Sequence, residues 1–335
     1  MNLDKLNSKV FVVCPANTAT GGPLLLHQLA YKLIQSGIKV YMYYFETENC
    51  NMNDPIHQFY KKFEIPYEKS IDDSKNNLII LPEILPEYIF KYKAINKVIW
   101  WLSVDNFLVT HTRIPSFSTK RFLGLKKNDN YYTFQKKPIH HHWAQSIYAI
   151  DFLKSKKITK IEYLSDYLDS VFLSEVSSLS FDDLNKQNII AYNPKKGFDI
   201  TKQLIEFTPQ FKWVAIENMT PLEVKDLLFR SKVYIDFGNH PGKDRIPREA
   251  AVCGCIVITN KQGSANYFQD VSISDEYKFN KILDEKDAFS NLVEDIFNNF
   301  LIHIEKFKSY RELITNEEQK FNTDLNNIIN KYFKS

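Results

Sequence analysis

The stretch KVFVVCPANTATGGPLLLHQLAYKLIQSGIKVYMYYF, Lys9 to Phe45, carries the fold decision. KVFVVC (Lys9–Cys14) is a continuous apolar run of strand length, and PANTATGG (Pro15–Gly22) is a loop of structure breakers. PLLLHQLAYKLIQS (Pro23–Ser36) has helical apolar spacing with proline at the first helical position. Gly37 stops that helix, and IKVYMYYF (Ile38–Phe45) is a second buried strand. Apolar strands alternating with helices predict a parallel sheet covered on both faces.

Outward from this unit the pattern repeats. NLIILP (Asn77–Pro82), KVIWWLSV (Lys97–Val104) and WAQS (Trp143–Ser146) read as further strands, the last followed by a helix to about Ser155. KIEYLSDYL (Lys160–Leu168) closes the first half as another strand. After an acidic, serine-rich stretch, Ser174–Lys186, a second series starts. Its strands are NIIAYN (Asn188–Asn193), FKWVAIE (Phe211–Glu217), KVYIDFG (Lys232–Gly238) and CIVITN (Cys255–Asn260). Helices are expected at Phe198–Phe207, at Thr220–Ser231 with Thr220 as N-cap and Glu223 at N3, and at Ile246–Cys253. The tail, Asp284–Phe333, reads as two amphipathic helices. Seven of the nine glycines (Gly21, Gly22, Gly197, Gly238, Gly242, Gly254, Gly263) fall where a strand meets a helix. Ligands of open parallel sheets bind outside the carboxyl ends of strands, where backbone without Cβ lets a phosphate approach.

The chain of 335 residues accommodates two domains of roughly 150 residues each. A net charge of +3 is too small to argue for nucleic acid. Twenty-five Phe and 19 Tyr raise the aromatic share to 14%, which suits stacking surfaces or a larger aromatic core. Cys14, Cys50, Cys253 and Cys255 fit neither a zinc site nor a disulfide framework and read as reduced core thiols of a cytosolic protein. MNLDKLNSKV has no apolar signal region, and no apolar stretch approaches the ~20 residues that span a bilayer.

Three segments, GGPLLLHQLAYKL (Gly21–Leu33), KKG (Lys195–Gly197) and REAAVCGCIVITN (Arg248–Asn260), resemble the retaining GT-B glycosyltransferases in order and spacing. The resemblance implies an α/β fold of two Rossmann-like domains with a C-terminal helical tail. It places the N-terminal acceptor domain at 1–168, the nucleotide-sugar domain at 187–300, and helices 301–335 packing back toward the first domain. It implies that Glu249 hydrogen-bonds the ribose and that Lys196 meets the donor diphosphate, offsetting charge that builds on the departing nucleotide. Gly21 and Gly22 match the turn whose N–H groups face the diphosphate, and Gly263 and Ser264 match the loop bordering the donor.

The chain departs from that pattern at two places. Pro241 stands where the family carries a second Glu, and Asn193 where it carries an Arg. Lys195, Lys243 and Arg245 are the cations expected to take over, so NHPGKDRIPRE, with His240, Asp244 and Arg248, reads as a rebuilt donor loop. The competing reading is a solvated charged loop with Asp244 as N-cap. The catalytic set is taken as Asp105, His111, Lys196 and Arg245, with donor contacts from Gly21, Gly22, Asn193, Lys195, Lys196, His240, Lys243, Arg245, Glu249, Gly263 and Ser264. Asp105 and His111 stand as alternatives for orienting the acceptor hydroxyl or taking its proton, against a capping or turn role for each. In such enzymes the donor phosphate itself can accept that proton.

His140–His142 alternate faces on an extended segment and cannot all meet one ion, so no metal site is expected there. No cofactor is expected either, the nucleotide-sugar being a substrate. Thr119–Lys137 interleaves Lys120, Arg121, Lys126, Lys127, Lys136 and Lys137 with aromatic residues, which suits an anionic lipid surface, single-stranded nucleic acid or a plain flexible loop. With the resemblance in place the lipid-linked or anionic glycan acceptor is the coherent choice, and nucleic acid is not expected as a partner. The expectation is a cytoplasmic hexosyltransferase, retaining rather than inverting, that assembles bacterial surface polysaccharide or lipopolysaccharide, with peripheral contact at the inner membrane face. A catalytically silent subunit of this fold and a nucleotide-sugar epimerase are the rival readings.

Overall fold

After a two-residue strand, β1 (Leu3–Asp4), the segment Lys9–Pro15 forms β2 and the segment Gly21–Gln35 forms α1. Every residue of β2 beyond Lys9 is buried, because the strand lies inside the sheet with helices on its faces. The helix begins at Gly21, so Pro23 stands at its third position rather than its first. Gly37, at φ +80°, supplies the left-handed residue that ends α1 and lets the chain return as β3 (Lys39–Phe45). This computed structural model describes residues 1–48, 50–112, 132, 134, 141–173 and 186–334. The basic segment Thr119–Lys137 and His140 lie outside the described residues, apart from Tyr132 and Phe134, as does the acidic stretch up to residue 185.

The chain divides into two units, Met1–Ser165 with Phe321–Ser335, and Asp166–Lys320. In the first, β4 (Leu78–Pro82), β5 (Asn96–Trp101), α2 (Val104–Thr112), β6 (His141–Ala144), α3 (Ile147–Ser155) and β7 (Ile161–Tyr163) follow β3. The sheet order is β3-β2-β4-β5-β6-β7 and every pairing is parallel. Phe11, Val13, Ile79, Leu81, Ile99 and Trp101 build one side of its core. The strand expected at Lys160–Leu168 is only three residues long, since β7 pairs with β6 alone and carries no fully buried residue.

The second unit runs β8 (Gln187–Tyr192), α4 (Phe198–Phe207), β9 (Lys212–Ala215), α5 (Pro221–Arg230), β10 (Ser231–Asp236), α6 (Arg245–Val252), β11 (Ile256–Asn260) and β12 (Lys278–Phe279). Its sheet, again all parallel, has the order β12-β11-β10-β8-β9. Ile189–Ala191, Val233–Ile235 and Ile256–Ile258 form the hydrophobic centre. Helix α5 starts in the expected capping box: Thr220 N donates to Glu223 Oε2 (2.7 Å) and Glu223 N donates to Thr220 Oγ1 (3.3 Å). At its other end the half-buried Lys186 donates through its ammonium to the carbonyls of Leu228, Ser231 and Cys253, satisfying helix and strand termini at once.

The tail is not two helices but four: α7 (Lys286–Asn298), α8 (Phe300–Lys306), α9 (Lys308–Thr315) and α10 (Glu317–Tyr332). Asp284–Phe333 contains neither Gly nor Pro, so no local breaker announces the bends at Asn299, Phe307 and Asn316. They are set by packing: Phe289, Val293, Ile296, Phe300, Ile304, Phe307, Tyr310 and Ile314 all enter the second unit's core. Residues 301–320 thus count with the second unit, and α10 from Phe321 onward, with β13 (Phe333–Lys334), counts with the first. There β13 pairs with β1, and Lys331 and the Tyr332 hydroxyl reach Glu162 at 2.5 and 3.2 Å. No described helix is long and apolar enough to cross a membrane.

Candidate functional site

In the second sheet β8 lies between β9 and β10. The chain leaves β8 to one side and later returns on the other, so the carboxyl ends of β8 and β10 flank the point where the winding reverses. Open parallel sheets bind ligands at such a point. Residues 193–197 follow β8, residues 237–244 follow β10, and residues 261–264 follow β11.

Glycines let these three loops close on one another. Gly197 has φ +60°, and a Cβ there would stand 2.6 Å from the Phe237 carbonyl carbon and oxygen. A Cβ on Gly238 would meet Lys196 Cβ at 2.8 Å. Ser264 N donates to the His240 carbonyl (2.9 Å), Ser264 Oγ to the Gly242 carbonyl, and Asn260 Nδ2 to the Gly238 carbonyl (2.9 Å). Asn193, placed where an arginine was expected, accepts from the Lys195 amide through Oδ1 (3.0 Å) and shapes the turn that presents Lys196, while Lys195 itself is exposed.

Four charged side chains meet inside this frame. Lys196 Nζ lies 2.8 Å from Asp244 Oδ1, and the other Asp244 oxygen lies 2.9 Å from His240 Nδ1. That second contact is ionic; it lacks hydrogen-bond alignment. His240 Nε2 faces the Asp236 carbonyl oxygen at 3.3 Å and Asp236 Oδ1 at 3.9 Å. Burial favours neutral His240, but the two aspartates outweigh it and hold the imidazole above its ordinary pKa. Burial likewise works against Asp244, yet His240 and Lys196 keep its carboxyl below the usual carboxylate range. Asp236 goes the other way, raised by burial that His240 and Lys196 do not fully offset. Asp236, His240 and Asp244 each bring one ligating atom within 4.8 Å of the others. With Lys196 on Asp244 and one ring nitrogen turned to each aspartate, however, the set is already balanced in charge.

Asp244 occupies the N-cap of α6 but makes no side-chain capping bond. One turn along α6, Arg245 Nη2 donates to Glu249 Oε1 (2.9 Å). Burial raises the Glu249 pKa despite Arg245 and Arg248. Buried Arg245 Nε has no hydrogen-bond partner among the described residues. Lys243, counted among the donor cations from sequence, pairs with Glu317 Oε1 at 2.6 Å. Arg248 is buried and reaches Asp166 Oδ2 and Glu317 Oε2, each at 2.6 Å, together with the Asp244 and Lys243 carbonyls. It fastens the loop rather than facing a ligand.

The remaining expected residues lie in the first unit. Gly21 and Gly22 open α1, and Asp105 in the first turn of α2 accepts from the Tyr148 hydroxyl (2.8 Å). His111 is in the last turn of α2, and its side chain lies outside the described residues. This sheet also reverses its winding, between β2 and β4, and there the sequence reading overlooked Glu83. Directly after β4, its buried carboxylate accepts from the Leu102 amide (3.0 Å), and burial pushes its pKa up to about 7. Its only local signal was an acid ending an apolar strand. His142 is buried in β6, where Nδ1 accepts from the Trp101 indole (2.9 Å), and His141 abuts Tyr332, so the two serve packing. Cys253 and Cys255 are free thiols buried at the junction of α6 and β11.

Two all-parallel α/β units, each with a winding reversal in its sheet, define a doubly Rossmann-like protein. No known family profile matches the sequence, and no curated protein matches it. Solved structures do. The Anabaena protein Alr3699/HepE, crystallised with UDP-glucose, is 11% identical with a TM-score of 0.59, over 96% of this chain and 99% of that one. Sucrose-phosphate synthase from Thermosynechococcus elongatus is 11% identical with a TM-score of 0.61, over 97% and 99%. WaaG, a glycosyltransferase involved in lipopolysaccharide biosynthesis, is 12% identical with a TM-score of 0.54, over 94% and 98%. The chain has the GT-B fold of glycosyltransferases.

Proposed function

We propose that the chain is a glycosyltransferase whose second unit holds a nucleotide-sugar donor. The observation that carries this reading is the Lys196 ammonium, presented from the carboxyl end of β8 where the winding reverses. In the transfer, the bond from the anomeric carbon to the diphosphate oxygen breaks and its electron pair leaves with the diphosphate. A cation at that oxygen stabilises the charge as it develops. The acceptor hydroxyl forms the new bond to the anomeric carbon, and its proton passes to a donor phosphate oxygen. Glu249 takes the ribose hydroxyls, with Arg245 holding its other oxygen, and Arg245 Nε is a further donor for the diphosphate. The donor loop works without metal or cofactor.

The reading extends to a hexose donor, a retained anomeric configuration and a glycan or lipid-linked glycan acceptor held by the first unit. Bacterial surface polysaccharide or lipopolysaccharide assembly on the cytoplasmic side of the inner membrane is the setting it fits. It is supported by the likeness to proteins whose structures hold UDP-glucose or whose role is in lipopolysaccharide synthesis. The test is a hydrolysis screen over UDP-, GDP- and CDP-sugars with wild type and Glu249→Ala. One donor should be turned over slowly by wild type, and the folded variant should lose that activity. A wild-type chain that binds no nucleotide in calorimetry would instead be a silent subunit.

A further inference from the structure

Lysine reaches its target on four flexible carbons, so an ammonium meant to meet a phosphate in one place has to be held there. Lys196 is held at both ends. Near the backbone, Gly238 leaves room for its Cβ, which a side chain at 238 would strike at 2.8 Å. At the tip, Asp244 Oδ1 takes Nζ at 2.8 Å. An aspartate at a helix N-cap ordinarily turns its carboxylate to the first free amides of the helix. Asp244 makes no such bond, and its two oxygens go to Lys196 and His240 instead.

His240 is in turn fixed from behind. Its carbonyl accepts from Ser264 N, its Nε2 faces Asp236, and Gly263 passes so close to its backbone that no side chain fits between. Side-chain exposure rises along the set from 0% at His240 through 15% at Asp244 to 30% at Lys196. The rigid end is buried and the ammonium is the end that faces outward. Asp236, Asp244, Lys196 and, through Asp236, Tyr234 are the titratable groups around the imidazole.

We propose that His240 and Asp244 are positioning residues: His240 aims the Asp244 carboxylate, and Asp244 aims the Lys196 ammonium at the leaving diphosphate. The inference rests on the donor-site reading given above, but it concerns different residues. His240 touches no donor atom in this arrangement and works through its neighbour. Because the effect is on where the ammonium stands as charge develops, it acts on turnover more than on ground-state affinity.

Calorimetry with UDP, GDP and CDP, and hydrolysis of the sugar of whichever nucleotide binds, provide the test. Lys196→Ala should weaken nucleotide binding and slow hydrolysis together. Asp244→Asn, nearly the same shape without the charge, should lower kcat at least tenfold with the nucleotide Kd within threefold of wild type. His240→Phe should behave like Asp244→Asn, and so should His240→Asn, which keeps a donor near the place of Nδ1 but not the charge that holds Asp244. Turnover within threefold of wild type in both Asp244→Asn and His240→Phe, with Lys196→Ala impaired, would overturn the positioning role alone. Failure of the wild type to bind any of the three nucleotides would overturn the donor-site reading and this role with it. Should His240→Phe not fold, Asp244→Glu decides: it keeps the charge and should outpace Asp244→Asn, and equal rates would refute the role.

Discussion

The Cβ that Gly263 lacks would stand 2.0 Å from the carbonyl oxygen of His240, and Gly263 itself has φ +51°. Backbone meets backbone here, so the clash cannot be relieved by a side-chain rotation. Gly263→Ala should therefore cost about 2–3 kcal/mol of stability and weaken nucleotide binding, because the loop carrying His240 must move. Urea unfolding and UDP calorimetry on the variant check both; wild-type stability would mean the loops are not locked through this contact.

Arg248 neutralises Asp166 and Glu317 in a buried setting, with its own exposure at 1%. Burial works against its charge, and the two carboxylates more than offset that. Removing the cation strands Asp166 and leaves Glu317 with Lys243 alone, a loss of about 3–5 kcal/mol. Arg248→Met should show it in chemical unfolding, and adding Asp166→Asn should restore part of it. A double variant as unstable as the sum of its parts would refute the pairing.

Glu83 gives a pH signature with a definite sign. Burial lifts its pKa from 4.5 to about 7, against backbone hydrogen bonds from Leu102, Glu83 and Ser103 that favour the charge. Between those values the folded chain keeps a proton that the unfolded chain releases. Stability thus falls as pH rises through that window, by about 3 kcal/mol, and levels off above it. Glu83→Gln, whose oxygen can still accept from Leu102, should unfold at a higher temperature than wild type at pH 8 and lose that advantage at pH 5. Parallel melting curves at the two values would count against it.

The strands and helices were legible because their signals are local. The apolar run Lys9–Pro15, the breaker loop after it and the box at Thr220 and Glu223 each lie within a few residues of the structure they specify. The tail was misread for the complementary reason: its bends at Asn299 and Asn316 answer to the core beneath them and carry no Gly or Pro. In the loops after β8 and β10 and in α6, Lys196, Glu249 and the glycines are singled out by motif alone. Lys243 reads like another donor cation in sequence but in the folded chain pairs with Glu317.

By itself the sequence determined that two parallel α/β units form and where their glycine-bearing loops fall, since strand length, helical spacing and turn residues act over short stretches of chain. Tertiary structure alone decided which charges distant in the chain meet. Arg248 finds its acids 82 and 69 positions away, and Asp244 serves Lys196 from a different loop. Those meetings depend on the order of strands across the sheet, and a buried charge takes whatever partner that order brings within reach.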